Sequence, residues 1–309
     1  SKIARFCNVS MDSVIESIDA NSIYKVPLLM QEEGLDTVVI NKLNIDTKPL
    51  PDLTKWNTFL SNLSSPKRTI TIGLVGKYAE LQDSYKSIIE SINIAGVSNK
   101  CKVNLELIHS EKINQDNVNN KLGSLDGILV APGFGERGIE GKINAIKFAR
   151  ENNVPFLGIC LGMQCAVIEF SRNVLGLKKA QSAEMSNDTP HPVIDMMEEQ
   201  KNISKMGGTM RLGEYKCTII KNSNAFSCYQ TTEILERHRH RYEFNNKYLE
   251  LFEKNGMIAS GKNTDTNLVE IVEIPEHKWF VGVQFHPEYK SSVENPHSLL
   301  IGFINACID

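Results

Sequence analysis

From residue 69 onward, apolar runs with the spacing of buried strands alternate with segments of helical periodicity. That alternation constrains the fold more than any other feature of the chain. "TITIGLVG" (69–76) reads as a strand ending in glycine, and "DSYKSIIESINIAG" (83–96) as an amphipathic helix closed by glycine. "CKVNLELIHS" (101–110) reads as a strand, and "LDGILVAPGFG" (125–135) as a buried strand running into a glycine-rich loop. Then come a helix "EGKINAIKFAREN" (140–152), a buried strand "VPFLGI" (154–159) and a helix "LGMQCAVIEFSRNV" (161–174). Beyond about residue 205 the pattern is richer in strands: "GEYKCTII", "GMIASGK", "NLVEIVEI" and "WFVGVQF", before a last helix "PHSLLIGFINACI". The expected fold is α/β, a doubly wound, mostly parallel sheet flanked by helices. Ligand chemistry in such a fold belongs in the crevice at the carboxyl ends of the strands.

Residues 1–55 read differently. "SKIARFCNV" has a strand pattern, "MDSVIESIDA" a short helical one, and "SIYKVPLLMQEEG" is broken by proline. This segment is too short and too weakly periodic to build its own core, and it reads as the end of another domain. Residues 56–68 read as a linker and 69–309 as the main domain, because "TKPLPDLTKWNTFLSNLSSPKRT" carries several prolines and serines.

The 309 residues carry a net charge of −3, which offers no electrostatic footprint for nucleic acid or an anionic membrane. No apolar run approaches the length of a spanning helix, and the start lacks the apolar stretch of a signal peptide. The seven cysteines are scattered and form no C-x-x-C pair, which argues against a disulfide framework or a zinc site. A reducing compartment, the cytoplasm, is expected, and no metal.

"GICLG" (158–162) has the G-x-nucleophile-x-G form of a nucleophile elbow. A strand ends at Ile159 and a helix begins near Leu161, so Cys160 occupies the tight turn, where flanking side chains would clash. A helix N-terminus there favours a thiolate. The plain alternative is a packed cysteine beside two glycines that occur by chance. "VGVQFHPE" (281–288) ends a strand in His286, Pro287 and Glu288. Two apart in extended chain, His286 and Glu288 project to one side, so the carboxylate can hold one imidazole nitrogen and leave the other for a thiol. A surface turn explains the same residues taken alone. Together, two chemistry-bearing segments at strand ends favour a cysteine–histidine–acid triad.

The loop "APGFGERG" (131–138) suits an oxyanion and lacks the lysine and hydroxyl of a phosphate loop. In "ERHRHRYE" (236–243), alternation puts Arg237, Arg239 and Arg241 on one face and His238 and His240 on the other. A carboxylate-binding arginine and a solvated charged strand both fit that pattern.

These four pieces, in this order, resemble the class I glutamine amidotransferases, which have a flavodoxin-like sheet. "GKYAELQDSYKSI", "GFGERGIEGK", "PFLGICLGMQ", "EFSRNVLG", "GGTMRLG", "ERHRHRYEFNN" and "VGVQFHPEYKS" resemble, more narrowly, the glutaminase domain of the CTP synthase family over residues 69–305. The opening "KIARFCNV…SIYKVPLLMQEEGL" resembles the tail of that family's synthetase domain.

The resemblance implies Cys160 as nucleophile, His286 as general base and acid, and Glu288 as its orienter. It implies an oxyanion held by the N–H groups of Gly133 and Leu161. Glutamine would be held by Leu161, Gly162, Met163 and Gln164, with Phe134 lining the pocket, Glu184 on the amino group and Arg241 on the carboxylate. Arg137 and Gly138 would lie on a loop that answers GTP, an allosteric activator, and Lys2 would contact the uridine nucleotide. The family's whole enzyme converts UTP to CTP with ATP, Mg2+ and L-glutamine and forms a homotetramer. This chain has no phosphate loop of its own and is expected to make no CTP by itself.

Two positions depart from the family pattern. Pro132 stands where a glycine is common and cannot donate an N–H. Ala183 stands where a threonine is common. A cysteine peptidase on the same elbow, or a non-catalytic module with a fossil triad, are the rival readings.

Overall fold

The computed structural model describes residues 2–46, 51–196 and 210–308. It divides into two compact units, Ser1–Ser64 and Ser65–Asp309. Residues 47–50 and the first three residues of the "GGTMRLG" motif (207–209) lie outside the described residues.

Among its described residues the first unit carries helices and no strand: α1 (Lys2–Cys7), α2 (Val26–Glu32), α3 (Leu35–Leu43) and α4 (Thr54–Ser64). The strand expected at "SKIARFCNV" is instead α1. A lone strand here would leave its ladder groups unpaired, whereas a helix satisfies them within the segment. The helix expected in "MDSVIESIDA" shrinks to one 3-10 turn, Met11–Ser13. Its Ser, Asp and β-branched residues are weak helix formers. Helix α4 occupies most of the stretch expected as linker. It is anchored within its own unit, where Trp56 Nε1 donates to the Tyr24 carbonyl at 2.8 Å. Phe59 packs edge-on against the Tyr24 ring, with centroids 4.9 Å apart. Ala4 and Phe59 are the buried apolar residues of this unit among those described.

The second unit holds a nine-stranded sheet in the order β2-β1-β3-β4-β12-β11-β10-β7-β8. Its parallel half comprises β1 (Arg68–Gly76), β2 (Cys101–His109), β3 (Gly127–Val130), β4 (Phe156–Ile159) and β12 (Phe280–Val283). Its other half, β11 (Val269–Glu273), β10 (Ile258–Asn263), β7 (Arg211–Ile219) and β8 (Glu233–His240), pairs antiparallel. The helices expected between the parallel strands are α5 (Lys86–Ser98), α7 (Ile139–Glu151) and α8 (Leu161–Asn173), with a short α6 (Val118–Leu122) before β3. A three-stranded sheet of β5 (Ala180–Ser182), β6 (His191–Met196) and β9 (Tyr242–Phe244) was not anticipated. Its strands carry too few residues to show a period.

Successive residues of each central strand enter opposite cores, as a pleated strand requires. Val75, Ile128, Val130, Phe156 and Phe280 pack with Ile143, Ala166 and Phe170 of α7 and α8. Leu74, Leu129, Leu157, Val281 and Val283 pack with Ile88 and Ile92 of α5 and with Leu299 and Phe303 of the last helix, Ser298–Ile308. Both faces of the parallel centre of the sheet are therefore covered, which leaves the strand ends there as the place for a site.

Candidate active site

Strands β4 and β12 are parallel neighbours, with Val283 opposite Ile159. The residues that follow them, Cys160 and Gln284, consequently emerge side by side. The Cys160 N–H donates to the Val283 carbonyl at 2.7 Å, which locks the two strand ends together. Cys160 has φ +52° and precedes the first residue of α8. A non-glycine residue there costs on the order of 1–3 kcal/mol, and the surroundings enforce it. A Cβ on Gly158 would come within 2.7 Å of the Gly162 carbonyl carbon, and one on Gly162 within 2.3 Å of the Val130 carbonyl oxygen. Helix α8 can approach the sheet closely enough to make the turn only with glycine at both places.

His286 Nδ1 lies 2.7 Å from Glu288 Oε1, and the ring stacks on Tyr289 with centroids 4.8 Å apart. Its Nε2 is buried with no hydrogen-bond partner, so it is the nitrogen left for chemistry. Burial lowers the basicity of the ring. The Cys160 sulfur and the Glu288 carboxylate outweigh burial and push His286 up to about 11. A charged imidazolium beside the Cys160 sulfur is what that arrangement favours. Burial pushes the thiols of Cys165 and Cys228 each up to about 12, which keeps them protonated and inert. A cavity of about 360 Å³ opens over Cys160, His286 and Glu288, walled by Tyr78, Phe134, Arg239 and Tyr289.

A narrower cleft on the other side of Cys160 gathers Gly133, Phe134, Gln164, Glu184 and Arg241, together with His240 and Tyr242. These are most of the residues expected to hold glutamine. The cleft encloses only about 10 Å³. Glu184 Oε1 accepts from the Gly135 N–H at 3.1 Å, and Lys77 Nζ donates to the Phe134 carbonyl, so the 131–138 loop is tied down over it. Leu161 is first in α8, where a backbone N–H has no intrahelical acceptor, and that group is therefore available to an oxyanion. The Met163 side chain does not line this cleft. It is wholly buried in the core under α8, and a Cβ on Gly282 would meet its Cβ at 3.1 Å. Gly162 likewise serves close packing, so these two have only backbone to offer a ligand.

Arg137 is half exposed, lies 3.7 Å from Glu111, and stacks over the Tyr78 ring at 5.3 Å. Gly138 caps α7 at φ +78°, where a Cβ would strike Ser110. Lys2 is exposed on α1, in the first unit. The expected alternation in "RHRHR" holds through β8: Arg237 and Arg239 are exposed, His238 and His240 buried. Beneath it lies a charged cluster that sequence reasoning missed. Arg211 reaches Glu243 at 3.0 Å and Glu270 at 2.9 Å, and His238 Nδ1 meets His240 Nε2 at 2.8 Å. Gln284 was missed as well. A polar residue in the apolar run "VGVQF" is itself a signal that a buried hydrogen bond awaits it.

Among the described residues, no group of three or more His, Cys, Asp or Glu side chains could hold a metal ion. Nor, among them, is any helix long and apolar enough to cross a membrane.

Comparison with known proteins accords with this geometry. The family model for class-I glutamine amidotransferases matches residues 80–306, and that for the CTP synthase N-terminus matches residues 1–45. CTP synthases of Flavobacterium johnsoniae and Cytophaga hutchinsonii are each 60% identical over 308 residues, all of this chain but 57% of their own length. The chain thus spans little more than half of those relatives. The solved Trypanosoma brucei CTPS glutaminase domain with bound acivicin is 36% identical, with a TM-score of 0.73, over 77% of this chain and 94% of that one. With both the Cys160-bearing unit and the N-terminal segment matched, the chain belongs to the CTP synthase family and carries its class-I glutamine amidotransferase domain.

Proposed function

We propose that this domain hydrolyses L-glutamine to glutamate and ammonia through a Cys160–His286–Glu288 triad. The observation that carries the reading is the meeting of Cys160 and His286 at adjacent strand ends under one cavity, with Glu288 bonded to the far imidazole nitrogen. The Cys160 thiolate attacks the side-chain amide carbon, and the new C–S bond pushes the carbonyl electrons onto oxygen. The Gly133 and Leu161 N–H groups receive that oxyanion. The His286 imidazolium gives its proton to the nitrogen, the C–N bond breaks and ammonia leaves. Water then attacks the thioester, His286 takes its proton, and the C–S bond breaks to release glutamate. Gln164 and Met163 backbone, Glu184 and Arg241 hold the amino-acid end of the substrate, with Arg241 on the carboxylate. Because the cleft is nearly closed, Phe134 and its loop must swing outward to admit glutamine.

In the whole enzyme the ammonia feeds a synthetase site that uses UTP, ATP and Mg2+, for which Lys2 is the candidate contact in this chain. Arg137 beside Tyr78 gives a cation and a ring at the cavity rim, a fit for a purine nucleotide such as GTP. The homotetramer and cytoplasmic location of that enzyme belong to the same proposal. The trypanosomal glutaminase domain binds acivicin, which supports a small-molecule site on this domain.

The test is mass spectrometry after exposure to 6-diazo-5-oxo-norleucine. A single adduct on Cys160, lost in His286→Ala, is expected. Labelling spread over Cys101 or Cys228, or full ammonia release by Cys160→Ser, would overturn the triad.

A further inference from the structure

One side chain outside the triad touches the reacting sulfur. Gln284 is wholly buried between β12 and His286, and its amide nitrogen lies 3.6 Å from Cys160 Sγ. The two ends of a carboxamide are chemically opposite, so which end faces the sulfur matters, and the neighbouring bonds decide it. The Tyr242 carbonyl oxygen can only accept, and it stands 3.0 Å from the Gln164 side chain, which must therefore present its NH2. The same NH2 lies 3.2 Å from Gln284, so Gln284 must answer with its oxygen. Its own NH2 is left pointing at Sγ. A further polar neighbour of the sulfur, the Arg239 carbonyl at 3.9 Å, is an acceptor and can bond only the protonated thiol.

We propose that Gln284 is a further catalytic residue of the glutamine-hydrolysing reaction: its N–H, oriented through Gln164 by the Tyr242 carbonyl, donates to Cys160 sulfur whenever that sulfur is anionic. This rests on the glutaminase reading. The donor acts twice in the cycle. It holds the attacking thiolate on the substrate side of the elbow. When water has added to the thioester, it stabilises the sulfur that leaves with the C–S bonding pair. At a buried position such as this, an N–H bond to an anion is stronger than one between neutral groups.

The experiment compares the 309-residue chain with its Gln284→Met variant, which keeps the buried volume but has no donor. Two rates are read at fixed pH: alkylation of Cys160 by iodoacetamide, a neutral electrophile with no glutamine shape, and glutamine hydrolysis. Alkylation of the folded variant is expected to fall about tenfold, and kcat to fall by a similar factor with KM little changed. A packing role alone would lower the melting temperature and leave the alkylation rate at the parent value, and that result overturns the proposal. Should the variant not fold, the unaltered chain still answers through the 15N-labelled Gln284 side-chain resonances. They are expected to move when Cys160 is alkylated, and resonances that stay put overturn the proposal. The two readings fail separately. Alkylation that depends on Gln284 in a protein releasing no ammonia keeps the donor and discards the glutaminase. Ammonia release with alkylation indifferent to Gln284 does the reverse.

Discussion

Among the histidine–carboxylate pairs buried in this domain, His286–Glu288 and His238–Glu270 carry opposite charge states. His286 sits 2.7 Å from Glu288 and is pushed up to about 11. His238 sits 3.5 Å from Glu270, and burial together with the Arg211 charge pushes it down to about 3. Burial is severe in both places, so burial does not decide the outcome. The neighbours do. Arg211 pairs with both Glu243 and Glu270, and burial raises both carboxyls, so the two together hold little charge beyond what Arg211 balances, while His238 and His240 satisfy each other as neutral rings. His286 has an undivided carboxylate on one side and a cysteine sulfur on the other. The lesson is that a histidine beside a glutamate is a catalytic candidate only when no arginine has reached that glutamate first.

The comparison can be broken from the His286 side with the largest effect. Cys160→Ser should lower glutamine hydrolysis by about four orders of magnitude, and His286→Ala by about 10²–10⁴-fold, in an ammonia-release assay. Retention of activity by either variant ends the contrast. On the other side, Arg211→Met leaves Glu243 and Glu270 buried together without a cation. It should destabilise the domain by about 3–5 kcal/mol in urea unfolding. In that variant His238 should move upward in an NMR titration, since the charge opposing its protonation is gone.

Glu288→Gln is subtler, because it keeps the bond geometry and removes the charge. Activity should fall about 100-fold with KM little altered, and His286 should titrate at lower pH than in the parent.

The smallest effect is the pH dependence of stability, in which the two histidines have opposite signs. His286 is protonated in the folded state more readily than its ordinary 6.5, so its contribution is full below 6.5 and is lost as pH rises toward about 11. His238 is neutral in the folded state, so its contribution is full above 6.5 and is lost as pH falls toward about 3. Urea midpoints of His238→Gln should therefore fall less than those of the parent between pH 6.5 and 4. Equal slopes for variant and parent would show that His238 takes up protons as freely folded as unfolded.

Much of this was legible in the sequence, for reasons of period and crowding. The parallel half of the sheet announced itself because strands buried on both faces are continuous apolar runs separated by helices with a clear apolar stripe. Cys160 was legible because an elbow tolerates no side chain at positions 158 and 162, and His286 and Glu288 because a strand that ends in titratable groups is conspicuous. The helical first unit was misread at "SKIARFCNV", where a few residues cannot show whether a period of two or 3.6 is at work. The small sheet of β5, β6 and β9 escaped for the same reason.

What the sequence determined by itself is therefore local: which segments become strands or helices, and which turn must be glycine-flanked. The tertiary structure alone decided the rest, because electric fields and hydrogen bonds depend on distance through space. Only the fold could bring Val283 opposite Ile159, so that positions more than a hundred residues apart meet at one sulfur. Only the fold sent Met163 into the core, gave Arg211 its two carboxylates, and aimed the Gln284 amide through Gln164 at Cys160.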